Sequence, residues 1–266
     1  MGADAALESG RLAKRIAAAG PARDRWFFTG MAIAAALTVF VGFARCYYLR
    51  SAFGGPPLPP LVHLHGVLFT AWILLFVTQT SLVAASRVDL HRRLGVFGIV
   101  LAVVMVIVGY AVATESVRRG STPGTLPPLA FLALPLGAVL AFAILVALGV
   151  YNRRRSETHK RLMLLATIAL LAPAIARMQL GSAPFGPAVP MVGTVLFVAA
   201  CVVYDRAAHG RVHPAFAWGG ALLMRVRSLI RTKGCFTASR RHSCSFLACP
   251  DAADGRSACS VGSPVP

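Results

Sequence analysis

The chain has 266 residues, of which 57% are hydrophobic and only 14% are charged. Soluble domains average about a quarter charged residues, so this composition excludes an ordinary soluble protein. The net charge of +18 does not indicate nucleic-acid binding, because the sequence contains no basic folded module with base-stacking aromatic residues.

Residues 1–25 are basic and alanine-rich, without the compact apolar core and cleavage site of a signal peptide. We expect a cytoplasmic basic tail without regular structure, with a short interfacial helix as the alternative. The first apolar run follows directly and would stay in the membrane as an anchor.

Six apolar runs follow, and each supplies the roughly 20 residues needed to cross a bilayer core of about 30 Å. Because backbone groups in lipid must bond within their own segment, these runs are predicted to be helices. We therefore predict an all-α integral membrane protein whose six-transmembrane-helix bundle occupies residues 26–205. The predicted spans are about 26–48, 61–85, 93–115, 127–151, 159–180 and 188–205. Pro135 and Pro173 fall inside spans and should kink them.

The segment after the last span is basic and only partly apolar. Within residues 206–231, the apolar stretch 214–224 is too short to cross a bilayer and is followed by arginines. This pattern predicts an amphipathic helix at the membrane interface. Residues 232–266 are rich in Ser, Cys and Arg without periodicity and are expected to be disordered. Their cysteines form no C-x-x-C pair, so no zinc site is indicated.

Positive charge is distributed unevenly along the chain. Residues 1–25, 86–93, 152–161 and those beyond 205 hold 22 of the 27 Lys and Arg residues, and the alternate loops hold five. The rich segments fall on one side of a six-span layout, so the positive-inside rule predicts cytoplasmic N- and C-termini. Anionic lipid headgroups are the expected partners of these basic loops.

The chain also contains an internal two-helix repeat: an apolar helix, a basic loop, a histidine and a second apolar helix. The second helices begin with HRRLG at residues 91–95 and HKRLM at residues 159–163. A parallel repeat about an axis along the membrane normal would bring His91 and His159 to the same depth around a common centre.

Two imidazoles at equal depth on facing helices are the arrangement that bis-histidine ligation of haem requires. Another metal ion is the alternative occupant of this site. The neighbouring cations would then bind the haem propionates. These cations are Arg92, Arg93, Lys160 and Arg161. The competing interpretation is that these basic groups only anchor the two helices at the membrane interface.

His63 and His65 form a second, weaker candidate metal site at the opposite side of the membrane. On a helix, two residues at this spacing point roughly 160° apart, so both bind one ion only if the chain is extended there. Glu115 and Arg177 are candidate companions, and their alternative role is an interfacial ion pair with each other.

No Asp, Glu, Lys or Arg lies near the middle of any predicted span, which argues against a proton- or ion-coupled transporter. Gln79 is the main polar residue inside a span, and we interpret it as a hydrogen-bonding contact between helices. A neutral-solute permease stays open as an alternative. No nucleophile–base constellation or nucleotide-binding loop is visible, so the sequence assigns no enzymatic activity.

The motifs HxHG at residues 63–66, RxDLHRRLG at 87–95 and HKRLM at 159–163 resemble a group of uncharacterised bacterial multi-pass membrane proteins. That group is distantly similar to the b-type di-haem transmembrane cytochromes. The resemblance covers about residues 26–213 and implies haem b and electron transfer in the bacterial inner membrane, with a quinone or a respiratory protein as partner. The chain departs from the di-haem pattern because both histidines of the opposite side stand on one helix. The alternative function is a non-enzymatic factor for respiratory-complex assembly or lipid handling, without a cofactor.

Overall fold

The structure is a computed structural model that describes residues 2–120, 128–178 and 189–238. These residues form α-helices and no strand. A single π-helical stretch, Ala44–Tyr48, continues the first helix. The helices are α1 (Gly2–Phe43), α2 (Pro60–Ala84), α3 (Val88–Arg118), α4 (Pro128–Tyr151), α5 (Ser156–Ala169), α6 (Ala172–Arg177), α7 (Val189–His209) and α8 (Pro214–Ala238).

Six helical stretches are long and apolar enough to cross a membrane, which confirms the predicted all-α, six-span architecture. They are Ala22–Tyr48, Pro60–Ala84, Val88–Arg118, Leu132–Tyr151, Ser156–Arg177 and Val189–His209. The helices extend beyond some predicted limits, because backbone hydrogen bonding continues through the charged residues that flank each apolar run.

The two copies of the repeat are antiparallel helical hairpins. Residues 85–87 connect α2 to α3, and residues 152–155 connect α4 to α5. Helix α3 also packs on α4, and α1 packs on α2. Both connections lie at the same end of the bundle as the end of α7 and the start of α8. We call this end, which carries His91, His159 and their neighbouring arginines, the basic end.

Helix α5 is the central helix of the bundle, since it packs against α1, α4, α7 and α8. Its side chains from the second turn onward are almost completely buried: Leu162, Leu164, Leu165, Ala166, Thr167, Ile168 and Ala169. Met163 is the half-buried exception in this stretch, and the seven side chains named contact protein on all sides.

The predicted break at Pro173 is present. Helix α5 ends at Ala169 and α6 begins after a gap of two residues, at Ala172. Pro173 lies in the first turn of α6, where the missing N–H removes no helical hydrogen bond. Pro135 lies inside α4. Beyond the break, α6 runs against the backbone of α1, because a Cβ atom at Gly42 would lie only 2.2 Å from the carbonyl oxygen of Ala174.

Both terminal segments contain more helix than we expected. Residues 2–21 belong to α1, where a tail without regular structure was expected, and their alanines are the strongest helix formers. Residues 232–238 belong to α8 and not to a disordered tail. The rest of the predicted disordered segment, residues 239–266, lies outside the described residues.

Helix α8, in the segment 206–231 that we predict to lie at the membrane interface, packs against spanning helices. A Cβ atom at Gly219 would lie 2.6 Å from Cδ1 of Leu165 on α5, and one at Gly220 would lie 3.1 Å from Cγ1 of Val198 on α7. These neighbours belong to membrane-spanning stretches, so the first turns of α8 enter the bundle. Hydropathy could not show this, because the arginines that follow interrupt the apolar run after three turns.

We predict that Gly219→Val destabilises the bundle by about 1–3 kcal/mol, because the added carbons overlap the buried Leu165. Gly30→Val is the matched control, since a Cβ atom at Gly30 meets nothing within 4 Å. Thermal unfolding of both variants in detergent tests the packing. Equal unfolding temperatures would show that α8 lies outside the bundle.

Candidate cofactor site at the basic end

The structure brings the two repeat histidines together. His91 lies in the first turn of α3 and His159 in the first turn of α5. Their ring centroids are 6.2 Å apart, and the ring planes are nearly perpendicular, at 83°. The hairpin repeat therefore produces a pair of imidazoles on two different helices at one depth.

The imidazole of His159 is fixed by the end of the preceding helix. Its Nδ1 atom lies 2.8 Å from the carbonyl oxygen of Gly149. The N–H of Arg153, which would bind that oxygen in a continuing helix, donates to Val150 instead. Because a carbonyl only accepts, Nδ1 carries the proton, and Nε2 keeps its lone pair for a ligand. Gly149 also lets α5 approach, since a Cβ atom there would lie 2.9 Å from the sulfur of Met163.

The imidazole of His91, unlike that of His159, has no acceptor for its Nδ1 atom in the described part of the chain. Its Nδ1 atom is buried and has no hydrogen-bond partner among the described residues. The side-chain oxygen Oε1 of Gln79, on the neighbouring α2, is also buried without a partner. Buried polar atoms are nearly always satisfied in native proteins, so two such atoms in one region indicate that a polar contact is missing.

A cavity of about 1930 Å³ surrounds these residues at the basic end. Pockets for small ligands usually measure roughly 300–1,000 Å³, so the space is sufficient for a large cofactor. The inner wall is apolar and aromatic, with the buried Phe28, Trp72 and Phe76. Exposed arginines from four different segments surround the opening: Arg25, Arg92, Arg153, Arg154 and Arg211.

The four cations assigned to propionates at the sequence level are not equivalent. Arg92 is exposed and lines the cavity, whereas Arg93 is exposed and does not line it. Lys160 and Arg161 line the cavity but already form ion pairs with protein carboxylates. Only Arg92 of the four thus combines access to the cavity with a guanidinium for which no ion pair is seen among the described residues.

Arg161 is the most buried of these four cations, with a side chain only 2% exposed, and it forms ion pairs with two carboxylates. Its Nη2 atom lies 2.6 Å from Asp205, which is fully buried on α7, and its Nη1 atom lies 2.6 Å from Glu157. Asp205 also accepts a hydrogen bond of 2.9 Å from the backbone N–H of His213. This set of contacts connects α5, α7 and the start of α8.

Lys160 belongs to a second group of contacts beside the first. Its ammonium group pairs with Asp24 on α1 and, at 2.8 Å, with Glu157. Asp24 also accepts a hydrogen bond from the Tyr204 hydroxyl. Asp24, Glu157 and His209 have ligand atoms within 4.8 Å of one another, a spacing suited to a metal ion. Lys160 already supplies the positive charge between the two carboxylates, so we assign no metal there.

Four residues of this region are marked by no sequence motif: Asp24, Tyr204, Asp205 and His209. One signal was available: the chain has only nine acidic residues, and Asp205 comes at the end of an apolar run. An acidic residue at such a position must be paired or lie in water. The sequence cannot show which of the 27 basic residues is its partner.

The histidines at the opposite end are not brought to one point. Both lie in the helical first turns of α2, so the extended chain required for joint ligation is absent. His63 is exposed, with Nδ1 at 3.5 Å from the Tyr47 hydroxyl, whereas the ring of His65 packs on Phe69 at a centroid distance of 4.0 Å. The two imidazoles therefore have different neighbours and do not share one metal-binding point.

The alternative role for Glu115 and Arg177, an ion pair with each other, is not seen among the described residues either. Glu115 pairs with Arg119 one turn further along α3, at 2.6 Å. Arg177 donates to the carbonyl oxygen of Pro173 and lies over the ring of Phe43.

We predict that Asp205→Asn lowers the unfolding free energy by about 3–5 kcal/mol, because it leaves the buried guanidinium of Arg161 without its main counter-charge. Glu157→Gln is the control. Its side chain is 55% exposed, so its loss should cost about 1 kcal/mol or less. Thermal or denaturant unfolding in detergent measures both changes, and similar losses for the two variants would contradict this assignment.

His213 gives the basic end a pH dependence. Its Nδ1 atom accepts a hydrogen bond of 3.1 Å from the N–H of Ala215 and so caps α8. Burial, assisted by the charge of Arg161, lowers the pKa of His213 below its usual 6.5. A lowered pKa means that the neutral form stabilises the fold; this stability is complete above pH 6.5 and is lost as the pH falls.

We therefore expect the wild-type unfolding temperature to decrease between pH 7 and pH 5 more than that of His213→Asn. Asparagine keeps a capping acceptor but does not titrate in this range. Unfolding scans at each pH compare the two proteins. An identical pH dependence would show that His213 is not the titrating group.

Comparison with known proteins identifies no family for this chain. No protein-family model, no curated protein and no solved structure matches the chain. The chain is therefore a multi-pass membrane protein with six candidate spans, and its function must be argued from the site at its basic end.

Proposed function

We propose that this protein binds haem b between His91 and His159 and transfers electrons in the membrane. The observation that carries the proposal is the separation of the two rings. A metal lies about 2 Å from each imidazole nitrogen that binds it, and each nitrogen lies about 1 Å from its ring centre, so two rings on one metal are roughly 6 Å apart. The centroid distance of 6.2 Å fits this value.

The surroundings of the rings support the same proposal. The contact with Gly149 holds His159 in the tautomer that leaves Nε2 free to bind a metal. Phe28, Trp72 and Phe76 give the inner side of the cavity an apolar, aromatic surface suited to a porphyrin ring. When bound, haem b supplies one-electron transfer, which the side chains of this chain cannot provide by themselves.

Arginines at the cavity opening are the groups suited to bind propionates. Arg92, Arg153 and Arg154 line the cavity and are exposed, and guanidinium binds carboxylate in a bidentate manner. Lys160 and Arg161 would instead keep His159 in position, since their ion pairs hold the first turn of α5 against α1 and α7.

The positions of the arginines also support an orientation for the protein. The basic loops lie together at one end of the bundle, where the positive-inside rule favours the cytoplasm. We infer that the basic end faces the cytoplasm of a bacterial inner membrane, beside anionic headgroups. The electron partner would be a membrane quinone or a respiratory protein.

A neutral-solute permease has less support from the described residues. At the inner wall of the cavity, the Trp72 indole N–H donates to Thr167 at 3.3 Å, and Phe142 packs edge-on against the indole. Thr167 and Phe142 are almost completely buried. These contacts fill the centre of the bundle, so no polar path continues from the cavity there.

The proposal predicts a Soret band and a reduced α-band in protein purified from haem-replete cells. His91→Ala and His159→Ala should each abolish or strongly diminish both bands, because one axial ligand is lost. His63→Ala is the control and should retain them, since His63 is remote from the pair. Colourless wild-type protein from such cells would refute the proposal, as would unchanged bands in both ligand variants.

A further inference from the structure

We infer that Gln79 is the positioning residue for His91: its side-chain oxygen accepts the Nδ1 proton of His91 when the site is loaded and thereby directs Nε2 toward the metal. This inference rests on the proposed function and assigns to α2 a part in the site. The missing polar contact described above is its starting point.

The hairpin places these two residues side by side. Gln79 lies five residues before the end of α2, and His91 lies three residues after the start of α3. With a rise of about 1.5 Å per residue, the two positions come to similar depth on adjacent antiparallel helices.

The side chain of Gln79 has the space to reach His91. A Cβ atom at Gly95 would lie 3.8 Å from Nε2 of Gln79, so the carboxamide rests against the glycine one turn after His91. Gly95 and Gln79 both line the cavity together with His91. The glycine of the HRRLG motif thus leaves room for a polar side chain beside the histidine.

The two atoms also complement each other chemically. A neutral imidazole that binds a metal through Nε2 carries a proton on Nδ1, and this proton needs an acceptor. Oε1 of Gln79 is an acceptor without a donor, and it is buried like Nδ1 of His91. A hydrogen bond between them would satisfy both atoms.

The two histidines would then differ in the kind of group that accepts their Nδ1 proton. His159 has a main-chain acceptor, the carbonyl of Gly149, which is present whatever residue occupies that position. His91 would depend on a side chain, which substitution can remove or charge. Gln79 is therefore the position at which the ligand strength of one axial histidine can be changed without altering the histidine itself.

The experiment compares Gln79→Leu, Gln79→Glu and the control Thr80→Val. Thr80 lines the same cavity on the same helix, but its hydroxyl donates to the carbonyl of Val77. Three measurements are made on each protein in detergent: the rate of haemin transfer to apomyoglobin, the midpoint potential of the bound haem, and the low-temperature electron paramagnetic resonance spectrum.

We expect Gln79→Leu to weaken haemin retention by about 10- to 100-fold, as for other residues that orient metal ligands. The midpoint potential should rise in Gln79→Leu, because His91 becomes a weaker donor. It should fall in Gln79→Glu, where a carboxylate acceptor strengthens the imidazole as a ligand. Thr80→Val should match the wild type in all three measurements, and opposite shifts of the two Gln79 variants would distinguish positioning from a purely structural role.

The two failures are distinguishable. If the wild type binds haem and both Gln79 variants retain its potential, spectrum and transfer rate, Gln79 does not position His91, although the proposed function stands. Shifts in the same direction for both variants would also overturn the inference, because they would indicate general damage to the site. A wild type that binds no haemin refutes the proposed function and this inference with it.

Discussion

The arrangement of the basic end depends on the burial of one charge. Arg161 projects from the central helix into a region where its side chain is only 2% exposed. A buried guanidinium without counter-charges would destabilise the bundle by several kcal/mol, so its partners must be in place for α5 to occupy the centre. Asp205 supplies the buried counter-charge, and the N–H of His213 fills a remaining acceptor site on the same carboxylate. The pairing therefore fixes α7 and the entry of α8 relative to α5, and His159, two residues before Arg161, inherits its position from this contact.

Much of the fold could be predicted from the sequence because lipid imposes a simple rule. A run of about 20 apolar residues must become a helix, and the six runs did. The approach of His91 to His159 followed from the repeat alone, since two identical hairpins side by side place equivalent residues at equal depth. The break before Pro173 follows from the ring and missing N–H of proline, whereas α4 continues through Pro135.

Other features depend on contacts that periodicity does not record. The apolar start of α8 has the composition of an interfacial helix, but Gly219 and Gly220 allow it to pack among three spans. Lys160 and Arg161 have the composition of a ligand-binding or anchoring motif, yet carboxylates distant in sequence bind both of them. A motif gives the residue types present at a site, and only the tertiary structure determines which of them are already engaged.

The closed centre of the bundle also restricts how the cavity could be filled. Trp72 forms its floor and is joined to Thr167 by a hydrogen bond, with Phe142 against the indole. The arginines at the opposite side of the cavity are exposed. Exposed apolar side chains of α3 also line the cavity: Val88, Val96 and Ile99. The cavity therefore opens along the apolar flank of α3 as well as at the arginine-lined end. An apolar molecule dissolved in the membrane would thus have a sideways route to the two histidines, and insertion could follow completion of the helical bundle.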